Sequence, residues 1–279
     1  MSYRIVVDSC GELTQEMKDS GCFVNVPLTV IVGEHHIVDD ETFDQADFLK
    51  KVEEYPDCPK SSCPSPEKYM ESYRCDADHI YVVTLSANLS GSYNSAVLGK
   101  NLYEEEYGDK PIYVFDSRSA SIAQTLIALK IAECEDAGMS FEEVVETVEQ
   151  YITDQITYFV LESLEALRKN GRLTGMKALV ATALNIKPYC GATPVGTIFQ
   201  AGQARGIKKA LSKMVDVFVE ELKNPQEKIV AISHCNCFER ALGVKRMIEE
   251  KIKVKKIIVL DTNGISSTYA SNGGITVSG

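Results

Sequence analysis

Three turns rich in serine and glycine hold the side chains best suited to grip an anion. They are Asp8-Ser9-Cys10-Gly11, Lys60-Ser61-Ser62-Cys63-Pro64-Ser65-Pro66 and Ser86-Ala87-Asn88-Leu89-Ser90-Gly91-Ser92. Each stands just ahead of a helical pattern. The first turns of a helix leave backbone N–H groups without partners and carry a partial positive charge, so they attract anions. Serine hydroxyls add donors that rotate to suit a ligand. Gly91 has no Cβ and lets a ligand approach the backbone. Two such turns face to face would clamp one carboxylate or phosphate. The same residues also serve as turn formers and N-caps with no ligand at all, and the pattern leaves both readings open.

Other chemistries find less support. There is no GxGxxG and no GxxxxGK[ST], so neither nucleotide-binding loop is present. There is no GxSxG elbow for a serine hydrolase. His234 and Cys63 would make a base and thiol pair only if the fold joined them, which their spacing does not require. His35 and His36 point to opposite faces of a strand and are poor joint metal ligands. Cys235 and Cys237, and Cys58 and Cys63, lack common zinc spacings, and only four histidines exist to complete a site. No metal or cofactor is therefore expected. Arg168 and Lys169 complement a helix C-terminus that stops at Gly171. Arg172 lies beyond that stop. Arg205 sits at a helix start, where a cation is mildly unfavourable. Both read as contacts to an anion or a partner.

A sheet must position these turns. Short apolar runs at 3–7, 79–83, 112–115, 229–232 and 256–260 each end in small polar residues. Near-continuous apolar runs read as strands buried on both faces. Amphipathic helical stretches follow most of them, as at 119–136. This alternation implies right-handed βαβ units and a largely parallel sheet, with ligands at the carboxyl ends of its strands. A hairpin turning at Gly33 is expected over 30–38, and helices over 44–55, from Ser65-Pro66, and from the capping box Ser140…Glu143 to 153. Beyond Ile156 the pattern changes to a strand at 156–161, helices at 162–169 and 174–184, and a hairpin strand at 195–200. The expected domains are 1–153 and 154–279.

The 279 residues include 29 basic and 40 acidic side chains, a formal net charge of −11. That length suits about two domains. The acidic balance argues against nucleic acid as a partner, because displacing counterions needs a positive field. It does not forbid a small anion, which answers to local potential. Nine scattered cysteines, an odd number, do not suggest a secreted disulfide framework. The first residues lack a signal-peptide core, and no run approaches the ~18 apolar residues of a membrane span. A cytoplasmic protein without an integral membrane segment is expected.

Taken together, these motifs resemble the DegV family, which includes the bacterial fatty-acid-binding FakB proteins. IVVDSCGEL resembles the family's first strand and turn, SSCPSP its TSxPS motif, LSGSYNSA its LSGTYxSA motif, and VFDSRSAS a third turn. LESLEALRKNGRLTG followed by LNIKPY is similar to its second-domain signature. The order and spacing cover essentially the whole chain. The resemblance implies a two-domain α/β protein, an N-terminal mostly parallel sheet flanked by helices plus a second α/β domain, enclosing one long-chain fatty acid between them. It implies an apolar tunnel for the acyl chain, with Ser61, its neighbour Ser62, Ser90 and the N–H of Gly91 at the carboxylate. It also implies a separate fatty-acid kinase that makes the acyl phosphate, so no catalytic residue is expected in this chain. Arg172 and Arg205 match basic family positions suited to the phosphate or to kinase docking. Tyr269 stands about where the family's C-terminal histidine falls. Tyrosine can hydrogen-bond but is neutral near pH 7. Two other functions fit the same pattern: a small-molecule enzyme acting on a carboxylated or phosphorylated metabolite, and an acyl-sensing regulatory module.

Overall fold

The computed structural model describes residues 2–173 and 185–279. Its first half runs β1 (Tyr3–Asp8), α1 (Gln15–Asp19), β2 (Phe23–Val26), β3 (Thr29–Val32), β4 (His35–Val38), α2 (Gln45–Glu54), β5 (Lys60–Ser62), α3 (Pro66–Tyr73), β6 (His79–Thr84), α4 (Ser92–Tyr107), β7 (Ile112–Asp116), α5 (Ile122–Asp136) and α6 (Phe141–Asp154). Its second half runs β8 (Thr157–Val160), α7 (Glu165–Lys169), β9 (Ile186–Ala192), β10 (Ile198–Arg205), α8 (Ile207–Glu221), β11 (Ile229–His234), α9 (Phe238–Glu249), β12 (Lys256–Asp261), α10 (Gly264–Ala270) and β13 (Ile275–Ser278). The helix expected at 174–184 lies outside the described residues.

The first sheet has the order β2-β1-β6-β7 and is parallel throughout. Strand side chains alternate between faces, so each strand feeds two cores. Ile5, Val7, Tyr81, Val83 and Phe115 pack with Ile127 and Ile131 of α5 and Val144 and Val148 of α6. Val6, Ile80, Val82 and Val114 pack with Tyr69 and Tyr73 of α3 and Ala96 of α4. The Ser140–Glu143 capping box opens α6 as expected. α5 starts at Ile122 rather than 119, and it is not amphipathic. Its Ile122 and Leu126 also meet Ala231 of β11, so it is a wall shared by both halves of the molecule.

The second sheet has the order β10-β9-β8-β13-β11-β12. Only β11 and β12 run parallel; the other neighbours are antiparallel. The largely parallel arrangement expected from the strand–helix pattern therefore holds for the first sheet and not for this one. The physical reason is local: β9 and β10 are joined by a tight turn at 193–197, which forces antiparallel pairing. β13, a four-residue strand directly after Gly273-Gly274, gave no long apolar run to read. One face of this sheet packs Tyr158, Val160, Ile275 and Val277 against Leu211, Met214 and Phe218 of α8 and Val244 of α9. The opposite face is left for the cavity described below.

A small antiparallel sheet, β4-β3-β5, completes the first half. The segment expected to be a plain turn before α3 begins as strand β5, and only then reaches Ser65, whose side chain caps α3 with Pro66 in its first turn. Gly171 adopts φ of +74° and ends α7 as expected. No described helix is long and apolar enough to cross a membrane.

Candidate functional site: a cavity between the two halves

The turn at Asp8 is scaffold. The Asp8 carboxylate is fully buried at the end of β1. It accepts from Leu85 N at 2.9 Å and Ser92 Oγ at 2.7 Å on one oxygen, and from Gln124 Nε2 at 2.9 Å and Cys10 N at 3.3 Å on the other. Ser92 Oγ also pairs with Tyr69 OH at 2.6 Å. Burial pushes the Asp8 pKa up. This network ties β1 to α5 and to the turn that carries Ser90. Of the Asp8 turn itself, Cys10 reaches the cavity.

The other two turns meet. A Cβ on Gly91, the residue that caps α4, would lie 3.2 Å from Cys63 Sγ, and Cys63 Sγ is 3.8 Å from Ser95 Oγ. Ser90 lines the cavity, and its Oγ accepts from Ser92 N at 3.2 Å. Strand alternation along β5 separates the neighbouring serines: Ser61 lines the cavity and Ser62 is exposed and off it. Ser61 Oγ lies 3.0 Å from Tyr269 OH, on α10. Arg172 also lines the cavity, with Nε donating to Leu89 O at 3.1 Å and its guanidinium donating to Asn170 O. Ser61, Ser90, Arg172 and Tyr269 thus share one cavity. Arg205 lies elsewhere, in a separate exposed depression with Lys187, Lys208, Lys209 and Glu162 at the start of α8.

The remaining walls are mainly apolar. Leu28, Leu85 and Leu89 come from the first half, and Phe159, Leu161, Leu167 and Ile198 from the second. The space between them is about 920 Å³, open solvent at its mouth included. Seven hydroxyls not anticipated as site residues also line it: Ser119, Ser121, Thr157, Thr197, Thr262, Ser266 and Thr276. Ser119 and Ser121 fall within the VFDSRSAS turn, whose resemblance to the family was visible without roles for its residues.

Behind Ser121 lies a buried acid. Glu12 is 2% exposed and accepts from Ser121 Oγ at 2.9 and 3.0 Å, while Ser121 Oγ sits 2.8 Å from Ser233 Oγ across the two halves. Burial pushes the Glu12 pKa up to about 7. Asp39 accepts from Gly264 N at 2.5 Å and Ile265 N at 2.9 Å, occupying the start of α10, and burial raises it to about 6. His234 Nδ1 lies 3.1 Å from Asp261 Oδ1 and burial lowers its pKa. Cys63 instead neighbours Gly91 and Ser95, so the structure does not form a His234–Cys63 pair. Among the described residues, no cluster of three metal-ligating side chains occurs.

A parallel helix-flanked sheet and a second mixed-sheet unit, closed over an apolar cavity with hydroxyls and a guanidinium among its walls, define a two-domain α/β ligand-cavity protein. The chain belongs to the DegV family: the model described as an uncharacterised protein of the DegV family matches residues 2–278. A DegV domain-containing protein of Streptococcus gordonii is 34% identical over 278 residues, 99% of this chain and 98% of the relative. A DegV-family crystal structure from Ruminococcus gnavus ATCC 29149, refined with vaccenic acid, shares 60% identity with a TM-score of 0.98 over 100% of both chains. The Streptococcus pneumoniae Fatty Acid Kinase (Fak) B3 protein loaded with linoleic acid shares 32% identity with a TM-score of 0.88, over 100% of this chain and 99% of that one.

Proposed function

We propose that this chain binds one long-chain fatty acid without acting on it and presents its carboxylate to a separate fatty-acid kinase. The observation that carries the reading is the apolar cavity with Ser61, Ser90, Arg172 and Tyr269 on its wall. The vaccenic and linoleic acids of the two similar structures support it. Burying about 15 methylenes at roughly 0.8 kcal/mol each yields on the order of 12 kcal/mol before ordering and association costs. The carboxylate accepts from the Ser61 and Ser90 hydroxyls and the Gly91 N–H, with Tyr269 as a further donor. The units 1–153 and 154–279 close around the acyl chain. Arg172 stands at the carboxylate end. The Arg205 depression, with Lys187, Lys208 and Lys209, supplies a local positive field for the phosphate or the kinase on a chain that is acidic overall. A cytoplasmic setting accords with nine cysteines that are all free thiols.

Organic extraction of the purified protein followed by mass spectrometry is expected to release fatty acid. Ser90→Ala is expected to weaken fatty-acid binding by about tenfold to one hundredfold, the worth of a hydrogen bond to a charged group, with the thermal melt nearly unchanged. A clean extract together with no uptake of added long-chain acids would sink the reading. Adding a fatty-acid kinase and ATP separates presentation from sensing, because an acyl-sensing module yields no acyl phosphate.

A further inference from the structure

α10 comes from the second half of the chain, yet its start is held by the first. Its own N-cap residue, Asn263, makes no side-chain cap, and its amide donates instead to Ser9 O at 3.2 Å. The opening N–H groups of a helix need acceptors from outside it. Asp39 supplies them from 225 positions earlier, with one carboxylate oxygen for Gly264 N and the other for Ile265 N. It is only 2% exposed. The fit is tight: a Cβ on Gly264 would stand 2.7 Å from Asp39 Oδ1 and 3.1 Å from the Phe43 ring. Gln45 of α2 adds a tie to the turn ahead of the helix, donating to Thr262 O at 2.9 Å.

The small sheet meets α10 a second time. Asp39 directly follows β4, and its N–H donates to Leu28 O at 2.9 Å, just ahead of β3. On the other side of β3, Ser61 of β5 pairs with Val30. Ser61 Oγ lies 3.0 Å from the hydroxyl of Tyr269, the next-to-last residue of α10. One three-stranded sheet therefore touches both the start of the helix and the hydroxyl near its end. The Tyr269 ring packs against apolar clusters of both halves, with Leu28 and Leu85 in one and Leu161 and Leu167 in the other. Such packing is non-directional, so it does not by itself aim the hydroxyl.

We infer that Asp39 is a positioning residue for the ligand: by anchoring the start of α10 it holds the Tyr269 hydroxyl beside Ser61, where both meet the carboxylate of the bound acid. The inference rests on the fatty-acid reading above. Asp39 does not line the cavity, so it acts through the helix and not on the acid. Removing its carboxylate strands two N–H groups and frees the helix start to shift. A displaced hydroxyl then loses a hydrogen bond that depends on distance and angle.

The test strips lipid from the wild type, Asp39→Ala, Tyr269→Phe and the double variant, then titrates each with vaccenic acid in a calorimeter. A thermal melt verifies folding. Tyr269→Phe is expected to weaken binding by about tenfold to one hundredfold, the worth of a hydrogen bond to a charged group. Asp39→Ala is expected to weaken the wild type by about tenfold but the Tyr269→Phe protein by less than about twofold, because the hydroxyl it places is already gone. A merely structural role would weaken both alike. Asp39→Asn, which keeps the shape and one acceptor, decides the matter if Asp39→Ala fails to fold; its smaller loss should likewise vanish in the Tyr269→Phe background. Equal losses in the two backgrounds, or folded Asp39 variants that bind as the wild type does, overturn the inference, as does an unchanged affinity in Tyr269→Phe. A wild type that takes up no acid overturns the fatty-acid reading, and the inference falls with it.

Discussion

At Glu12, a carboxyl group is buried with serine partners and no paired cation among the described residues, so it holds its proton far longer than an exposed glutamate. Its pKa rises from 4.5 to about 7 on folding. The folded state then binds more protons than the unfolded one between those values, and stability must fall as pH rises through that window. The stabilising contribution is fully present below pH 4.5 and lost by about pH 7. Urea denaturation at several pH values is expected to show this decline, on the order of 3 kcal/mol at most, and Glu12→Gln is expected to remove it. Asp39, raised to about 6, adds a smaller decline of the same sign that the variant retains. Equal slopes in both proteins would refute the role given to Glu12. Such a group was not legible in the sequence, because its partner Ser121 lies 109 positions away. Ser61 and Ser90 were legible, since helix starts and small polar turns are local signals. Ser62 was read with Ser61 because the segment looked like a turn; strand alternation along β5 then parted them.

The β9–β10 hairpin is the element that fastens one half of the molecule over the other. Its tip carries Gly196 at φ of +80°. Ser86 Oγ donates to Gly196 O at 2.8 Å, and Asn88 Nδ2 donates to Val195 O at 2.6 Å. A Cβ at Gly196 would stand 2.2 Å from Ser86 Oγ and 2.8 Å from the Cα of Arg118. Gly196→Ala is therefore expected to cost about 1–3 kcal/mol through overpacking and a backbone conformation alanine resists. It should also speed the release of a fluorescent fatty acid, read by stopped flow. Val195→Ala keeps both carbonyl contacts and should leave that rate near wild type. An unchanged melt and release rate in Gly196→Ala would count against the clasp. The sequence signalled a hairpin here but put its strand at 195–200, several residues early. Turn residues at 193–197 show where the chain reverses, whereas the length of β10 depends on its pairing with β9.

Over the whole molecule, a ligand shared by both halves links its occupancy to global stability. A fatty acid at one hundred times its dissociation constant should stabilise the folded protein by about 2.7 kcal/mol, which is roughly 5–10 °C in melting temperature for a protein of this size. Calorimetry of lipid-stripped and reloaded protein measures this directly; coincident melts would mean that the cavity does not bind the acid. The two-part α/β organisation was readable because buried strands and capped helices are patterns of near neighbours. The mixed order of the second sheet was not, because it depends on β13. That strand lies between β8 and β11, and Thr157 of β8 and its partner Ser278 of β13 are 121 positions apart. Without β13 the sheet becomes two ribbons, β10-β9-β8 and β11-β12, and the cavity loses the part of its wall that holds Thr276. During folding, then, the binding surface cannot form piecemeal. Closing so long a loop is a slow, non-local step. Until residues 275–278 slot between the ribbons, their apolar faces stay open to water and to other chains. The same pairing makes the finished sheet a cooperative unit. Its amides should exchange hydrogen only when the entire second sheet opens.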